Sequence, residues 1–168
     1  MGFQIAEAIA NAQLFLERKQ AEEALKESEK KYYDLYNNAP DMYYSVDSAT
    51  RTIRECNETF LRTTGYTKAE VIGRPIFEMF DAGSVDDAKK SFQQFQVVGE
   101  IRDAERRVKC KDGRIIHVSV NVSAIKNKDG IITYSRAIWR DITERKQQEA
   151  MIRALSITDQ LTGRCNRR

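Results

Sequence analysis

Cysteine, histidine and clustered acids are the side chains that most often carry chemistry, and in this chain they are few and scattered. The three cysteines, Cys56, Cys110 and Cys165, are widely spaced and include no CxxC pair. They suggest neither a disulfide framework nor a zinc site, and packing roles are expected for Cys56 and Cys110. His117 is the lone histidine. No phosphate-binding loop, GxSxG elbow, zinc-protease motif or kinase signature accompanies it. No catalytic residue and no metal ligand is therefore predicted, and the chain reads as a binding or relaying module instead of an enzyme.

Composition points the same way. The 28 basic and 25 acidic side chains are interleaved and leave a net charge of +3, which implies no dense cationic surface for nucleic acid. No apolar run approaches the roughly 20 residues of a membrane span, and acids and amides interrupt the N-terminus from Gln4 onward, unlike a signal peptide. A soluble, cytoplasmic segment without membrane contact is expected. A charged fraction of 32% exceeds that of an average domain, as long exposed helices would require.

The elements follow from period and punctuation. Residues 3–38 contain neither proline nor glycine and are rich in Ala, Leu, Glu, Lys and Gln, the composition of a long helix. Ile5, Ile9, Ala12 and Leu16 form one apolar stripe, and Ala21, Leu25, Ser28, Tyr32 and Leu35 form a second in a displaced phase. One small domain cannot bury both, so the helix is expected to form a homodimeric coiled coil or to meet a neighbouring domain; a solvated single helix is the plainer reading. Asn38, Ala39 and Pro40 end it. Residues 42–47 and 52–57 then read as a hairpin. Short helices follow, with Asn57 as a cap, Thr67 and Glu70 as a capping box and Ser84 with Asp87 as another, before a longer helix over 85–96 that puts Ala88, Phe92 and Phe95 on one face. After Gly99 the period becomes two. Residues 102–111, 114–126 and 131–142 read as three long strands joined at Asp112-Gly113 and Asp129-Gly130, an antiparallel meander. In the middle strand Ile116, Val118, Val120 and Val122 alternate with His117, Ser119, Asn121 and Ser123, so one face is buried. Helix resumes near Thr143, with Asp141 as cap and Glu144 as its box partner.

Several ordered motifs carry a family resemblance. Asn38-Ala39-Pro40-Asp41, then Asn57, Phe60, Gly65-Tyr66 and Glu70-Val71-Ile72-Gly73, then Lys111-Asp112-Gly113, and finally Arg140-Asp141-Ile142-Thr143-Glu144-Arg145-Lys146 resemble, in order, the signature segments of PAS domains. The resemblance spans about residues 30–146 and implies an α+β PAS fold: a five-stranded antiparallel sheet with short helices on one face, a long N-terminal helix and a C-terminal linker helix. It also implies a sensory module of a bacterial-type signalling protein. The segments AEAIANAQLF and AEEALKESEKKY resemble the closing helix of a GAF domain running into a PAS linker, and Thr158-Asp159-Gln160-Leu161-Thr162-Gly163 with Asn166-Arg167-Arg168 resembles the opening of GGDEF diguanylate cyclase domains, although Arg164 stands where a leucine is usual. The implied organisation is a dimerising helix over residues 1–38, with Ile5, Ile9, Leu16 and Leu25 at its interface; a PAS domain over 39–143; and a linker helix opening an output domain over 144–168, without the catalytic loop of that domain. A sensor that regulates a covalently linked cyclase is the expected function, and an unliganded spacer relaying signals from an upstream domain is the alternative.

The resemblance also bears on ligands. Haem-binding PAS domains resemble this one only where a histidine occupies the long helix, and residues 85–96 have none. Photoactive flavin domains carry a cysteine just after a Gly-Arg pair, but Gly73-Arg74 is followed by Pro75-Ile76-Phe77. Neither haem nor photoactive flavin is expected. Strand parity and the resemblance together point Tyr44, Val46, Val108 and Val118 inward, with Val120, Ala137 and Trp139. A packed core and a small-ligand pocket both fit this set. Arg106 shares the parity of Val108, and a buried guanidinium must reach solvent, pair with an acid such as Glu55 or Glu105, or meet an anionic ligand. Asp141, Ile142 and Thr143, where the last strand becomes the exit helix, are expected to transmit the signal.

Overall fold

The absence of helix breakers over residues 3–38 has its direct result in α1, Gly2–Asn37, a helix of 36 residues. A computed structural model describes residues 1–162 of the chain. The chain separates into two units, residues 1–39 and the remainder beginning at Pro40. Along α1 both apolar stripes are exposed, Ile5 at 61%, Ile9 at 54%, Leu16 at 56% and Leu25 at 60%. Within its own unit, then, the helix buries none of the four.

The second unit is built on one sheet. Strands β1 (Met42–Asp47), β2 (Ile53–Cys56), β3 (Glu100–Lys109), β4 (Ile115–Lys126) and β5 (Ile132–Asp141) lie in the order β2-β1-β5-β4-β3, and every neighbouring pair is antiparallel. Helices α2 (Glu58–Thr64), α3 (Lys68–Val71), a 3-10 turn at Ile76–Met79 and α4 (Ala82–Val98) connect β2 to β3. Helix α5 (Thr143–Thr162) leaves the end of β5. The core is one cluster that includes Met42, Ile53, Phe60, Val71, Met79 and Val118, all at most 2% exposed.

Each connection has a local cause. The fully buried Asn57 caps α2, its Oδ1 accepting from Phe60 N at 3.0 Å, and Gly65 ends the same helix in the left-handed region at φ 76°. Glu70 accepts from the Thr67 backbone N–H and hydroxyl, both at 2.9 Å, at the start of α3. Both sheet edges are partly covered, which removes templates for strand addition. On the β2 side, Gly73 N donates to Ile53 O and Ile53 N donates to Arg74 O. On the β3 side, Asp81 N donates to Arg107 O at 2.9 Å and Arg107 N donates to Ser84 Oγ at 3.0 Å.

That last bond corrects the expected start of α4. Ser84 is not its cap; Asp81 is, with its carboxylate accepting from Gly83 N at 3.2 Å, and the helix begins at Ala82. The Ser84 hydroxyl serves the strand edge instead. The Glu144 capping box is also not formed: Gln148 donates to the Glu144 carboxylate at 3.3 Å. At the start of α5 the carboxylate that accepts is that of Asp141, its Oδ1 taking the Thr143 N–H at 2.8 Å. The last residues of the GGDEF-like motif, 163–168, and Cys165 lie outside the described residues.

Candidate functional site

Sheet register decides where space is left between the strands and the helices. Tyr44 of β1 pairs with Ala137 of β5, Val46 pairs with Ser135, Val122 of β4 pairs with Ala137, and Ala104 of β3 pairs with Val120. Three of these positions are Ala or Ser. Opposite them α4 presents Ala88, so small side chains face one another across the layer. The result is a cavity of about 60 Å³. Its helical wall includes Phe77, Phe80, Phe92 and Phe95, and its sheet wall includes Tyr44, Val46, Val120 and Ala137. Ligand pockets for drug-sized molecules run to about 300–1,000 Å³, so this space in its present form takes only a few non-hydrogen atoms.

Of the residues that sequence reasoning placed at the pocket, Tyr44, Val46, Arg106, Val120 and Ala137 line the cavity. Val108, Val118 and Trp139 do not; all three are fully buried one register step further along the sheet. There the Trp139 ring packs against Tyr44 at 4.8 Å, Phe60 at 5.3 Å and Phe80 at 5.5 Å between centroids. Its indole Nε1 has no hydrogen-bond partner among the described residues. Burial pushes the Tyr44 phenol far above its ordinary range, with the adjacent Trp139 indole acting in the opposite direction. Tyr44 is therefore neutral at any ordinary pH.

The helical wall was only half visible in the sequence. Ala88, Phe92 and Phe95 share a face by helical spacing, but nothing local says which part of the sheet that face covers. Ser91 lies on the same wall, and Ser135 was missed although it shares strand parity with Ala137 and Trp139.

Arg106 does not pair with either expected acid. Its guanidinium donates to Glu105 O at 2.7 Å, to Asp87 O at 3.2 Å and to the Ser91 hydroxyl. The Glu105 carboxylate instead accepts from Arg145 at 3.1 Å and pairs with Lys146, both on α5. Lys146 first, then Arg145, holds the Glu105 carboxyl below the usual carboxylate range. Glu70 is held down to about 2, chiefly by Lys111 of the β3–β4 hairpin and then by Thr67. These acids are engaged in ion pairs between elements.

The three residues at the exit are tied to the middle strand. Ile142 N donates to His117 O at 2.8 Å, and His117 N donates to Thr143 Oγ1 at 2.9 Å. Together with the Asp141 cap and the Glu105 ion pairs, these bonds attach the first turn of α5 to β3, β4 and β5. Cys56 and Cys110 are buried and free, with Cys56 raised to about 11 and Cys110 raised in the same sense, both mainly by burial. Such thiols are poor nucleophiles. No described helix is long and apolar enough to cross a membrane.

The PAS domain family model matches residues 40–144, more than half of the chain. The chain belongs to the PAS domain family. The PAS domain of an HTR-like protein from Haloarcula marismortui is similar to it at 30% identity, with a TM-score of 0.62 over 74% of this chain and 99% of that one. A PAS domain from Colwellia psychrerythraea shares the fold at 22% identity and a TM-score of 0.62, over 68% of this chain and 97% of that one. The methyl sulfide methyltransferase-associated sensor of Methanosarcina acetivorans is 28% identical over 159 residues, which is 90% of this chain and 16% of that protein. The chain thus spans about a sixth of that relative's length, and its PAS domain has an α+β fold.

Proposed function

We propose that this PAS sensor domain dimerises through its N-terminal helix, takes a small ligand in the cavity under α4, and relays the change through α5 to a covalently linked output domain, a diguanylate cyclase of the GGDEF type. In this reading residues 1–38 are a signalling helix continuing from a GAF-like domain, 39–143 are the sensor, and 144–168 are the linker and the threshold of the output domain. The chain changes shape, and catalysis belongs to the output domain. It carries neither haem nor photoactive flavin, a reading supported by the absence of histidine from α4, the absence of cysteine after Gly73-Arg74, and a cavity of only about 60 Å³.

The observation that carries the reading is the attachment of α5. Asp141, Ile142 and Thr143 join the last strand to the output-facing helix, and each is held by a bond to the helix start or to β4. A shift of the sheet must move the helix. The small cavity volume favours a second reading, an unliganded spacer that relays a signal received through α1.

The experiment fuses the full chain to an intact GGDEF domain and substitutes Asp141→Ala. Loss of this cap weakens the start of α5 by about 1 kcal/mol, enough to shift a two-state equilibrium roughly fivefold. The regulated rate of cyclic di-GMP synthesis is expected to change while the domain stays folded. A folded variant with unaltered basal and stimulated rates would reduce Asp141 to a helix cap.

A further inference from the structure

We propose that the cavity selects a short-chain monocarboxylate, with Arg106 as its counter-ion. The inference rests on the ligand-sensing reading above and names the chemistry of that ligand. Among the described residues that line the cavity, Arg106 is the one that is charged. Its guanidinium is half-buried and donates to three neutral oxygens, two of them backbone carbonyls and one the Ser91 hydroxyl. No carboxylate among the described residues pairs with it. Of the two acidic residues whose backbone carbonyls it bonds, Glu105 pairs with Arg145 and Lys146, and the Asp87 carboxylate lies 3.9 Å from Lys90. A half-buried cation without a counter-ion is unfavourable, and its planar fork matches a carboxylate in two parallel bonds.

Shape narrows the class. An apolar cavity of about 150 Å³ admits benzene. A space of about 60 Å³ therefore takes a tail of roughly two or three carbons, with the carboxylate held at the half-buried guanidinium. Phe77, Phe92 and Val122 offer such a tail no charged partner, so a second carboxylate at its far end would lack a counter-ion. The Ser91 hydroxyl, which accepts from Arg106, lies on the same lining and can donate its own proton to the carboxylate. A further guanidinium, that of Arg51, lies 5.3 Å from the centroid of the Phe92 ring, so the surrounding charge also favours an anion. A ligand that engages Arg106 competes with its bonds to Asp87 O and Ser91, and thereby alters the hold of β3 on α4.

The test titrates the full chain with propionate and butyrate, with the uncharged isostere propanamide, with succinate and with propylammonium, at fixed ionic strength, by calorimetry and thermal melting. Propionate or butyrate is expected to bind saturably and raise Tm, with propanamide and succinate at least about tenfold weaker and propylammonium without effect. Arg106→Gln should lose about tenfold in propionate affinity and leave propanamide within about twofold, while Arg106→Lys retains part of the selectivity. Circular dichroism and the unliganded Tm of each variant show whether it is folded. Equal affinity for propionate and propanamide would overturn carboxylate selection and leave ligand sensing standing. Unchanged propionate affinity in folded Arg106→Gln would overturn the role of Arg106. Absence of saturable binding by every probe would overturn the proposal, whereas the relay reading stands or falls on the fusion experiment.

Discussion

Asn57 joins three parts of the PAS domain through one amide. Its Oδ1 accepts from Tyr43 N and from Phe60 N, each at 3.0 Å, and its Nδ2 donates to Asp41 O at 3.0 Å. It therefore ties the start of β1 to the start of α2 from a position that is 0% exposed. Asn57→Ala leaves buried backbone groups without partners and removes a helix cap. A loss of about 2–4 kcal/mol in unfolding free energy is expected, with the urea m-value unchanged. A loss below about 1 kcal/mol in that titration would mean that water replaces the amide. The capping role was legible in the sequence because the bond to Phe60 is local. The bonds to Tyr43 and Asp41 were not, because they cross 14 and 16 residues and depend on how the hairpin folds back. Arg106 behaves the same way: strand parity put it on the inner face, but its partners on α4 come from packing alone.

At the scale of elements, α5 is the part whose anchoring can be tuned. Glu105 of β3 pairs with Arg145 and Lys146 in the first turn of the helix, while Thr143 and Ile142 bond to β4. The folded Glu105 carboxyl titrates below its unfolded value. Its contribution is therefore fully present above the ordinary glutamate range, about 4.3, and disappears as the pH falls through the lower folded value. Glu105→Gln should mimic the acid state at neutral pH. Amide hydrogen exchange over residues 143–150 is expected to speed up by about two- to fivefold at pH 7, a modest change because the pair is exposed. The difference between the two proteins should close as the pH is lowered below 4.3 or so. Equal exchange at pH 7 would show that the His117 bonds hold the helix unaided. Local code is a good guide to where elements start when one side chain can serve only one cap. It misled at Ser84 and Glu144 because each side chain had another partner, Arg107 N and Gln148 respectively.

For the molecule as a whole, the exposed stripes of α1 and the exposed Met151, Ile152 and Leu155 of α5 leave apolar surface at both ends of the chain. The dimer proposed above would bury part of it. Light scattering of the full chain at high micromolar concentration is expected to give the mass of two chains, and Ile9→Glu with Leu16→Glu together should give one. An unchanged dimer in the double variant would move the interface away from α1. By itself the sequence determined the succession of helices and strands, the two hairpin dipeptides, the inward face of β4 and membership of the PAS fold, because these follow from periodicity, turn chemistry and short ordered motifs. Only the tertiary structure decided that Trp139, Val108 and Val118 fill the core while Ala88, Ala104, Ser135 and Ala137 leave the cavity, and that Glu105 serves α5 instead of Arg106. Parity tells which face a strand residue takes. Register between strands, which depends on the bulge between Ile101 and Ala104 and on the seating of α4, tells what it meets there.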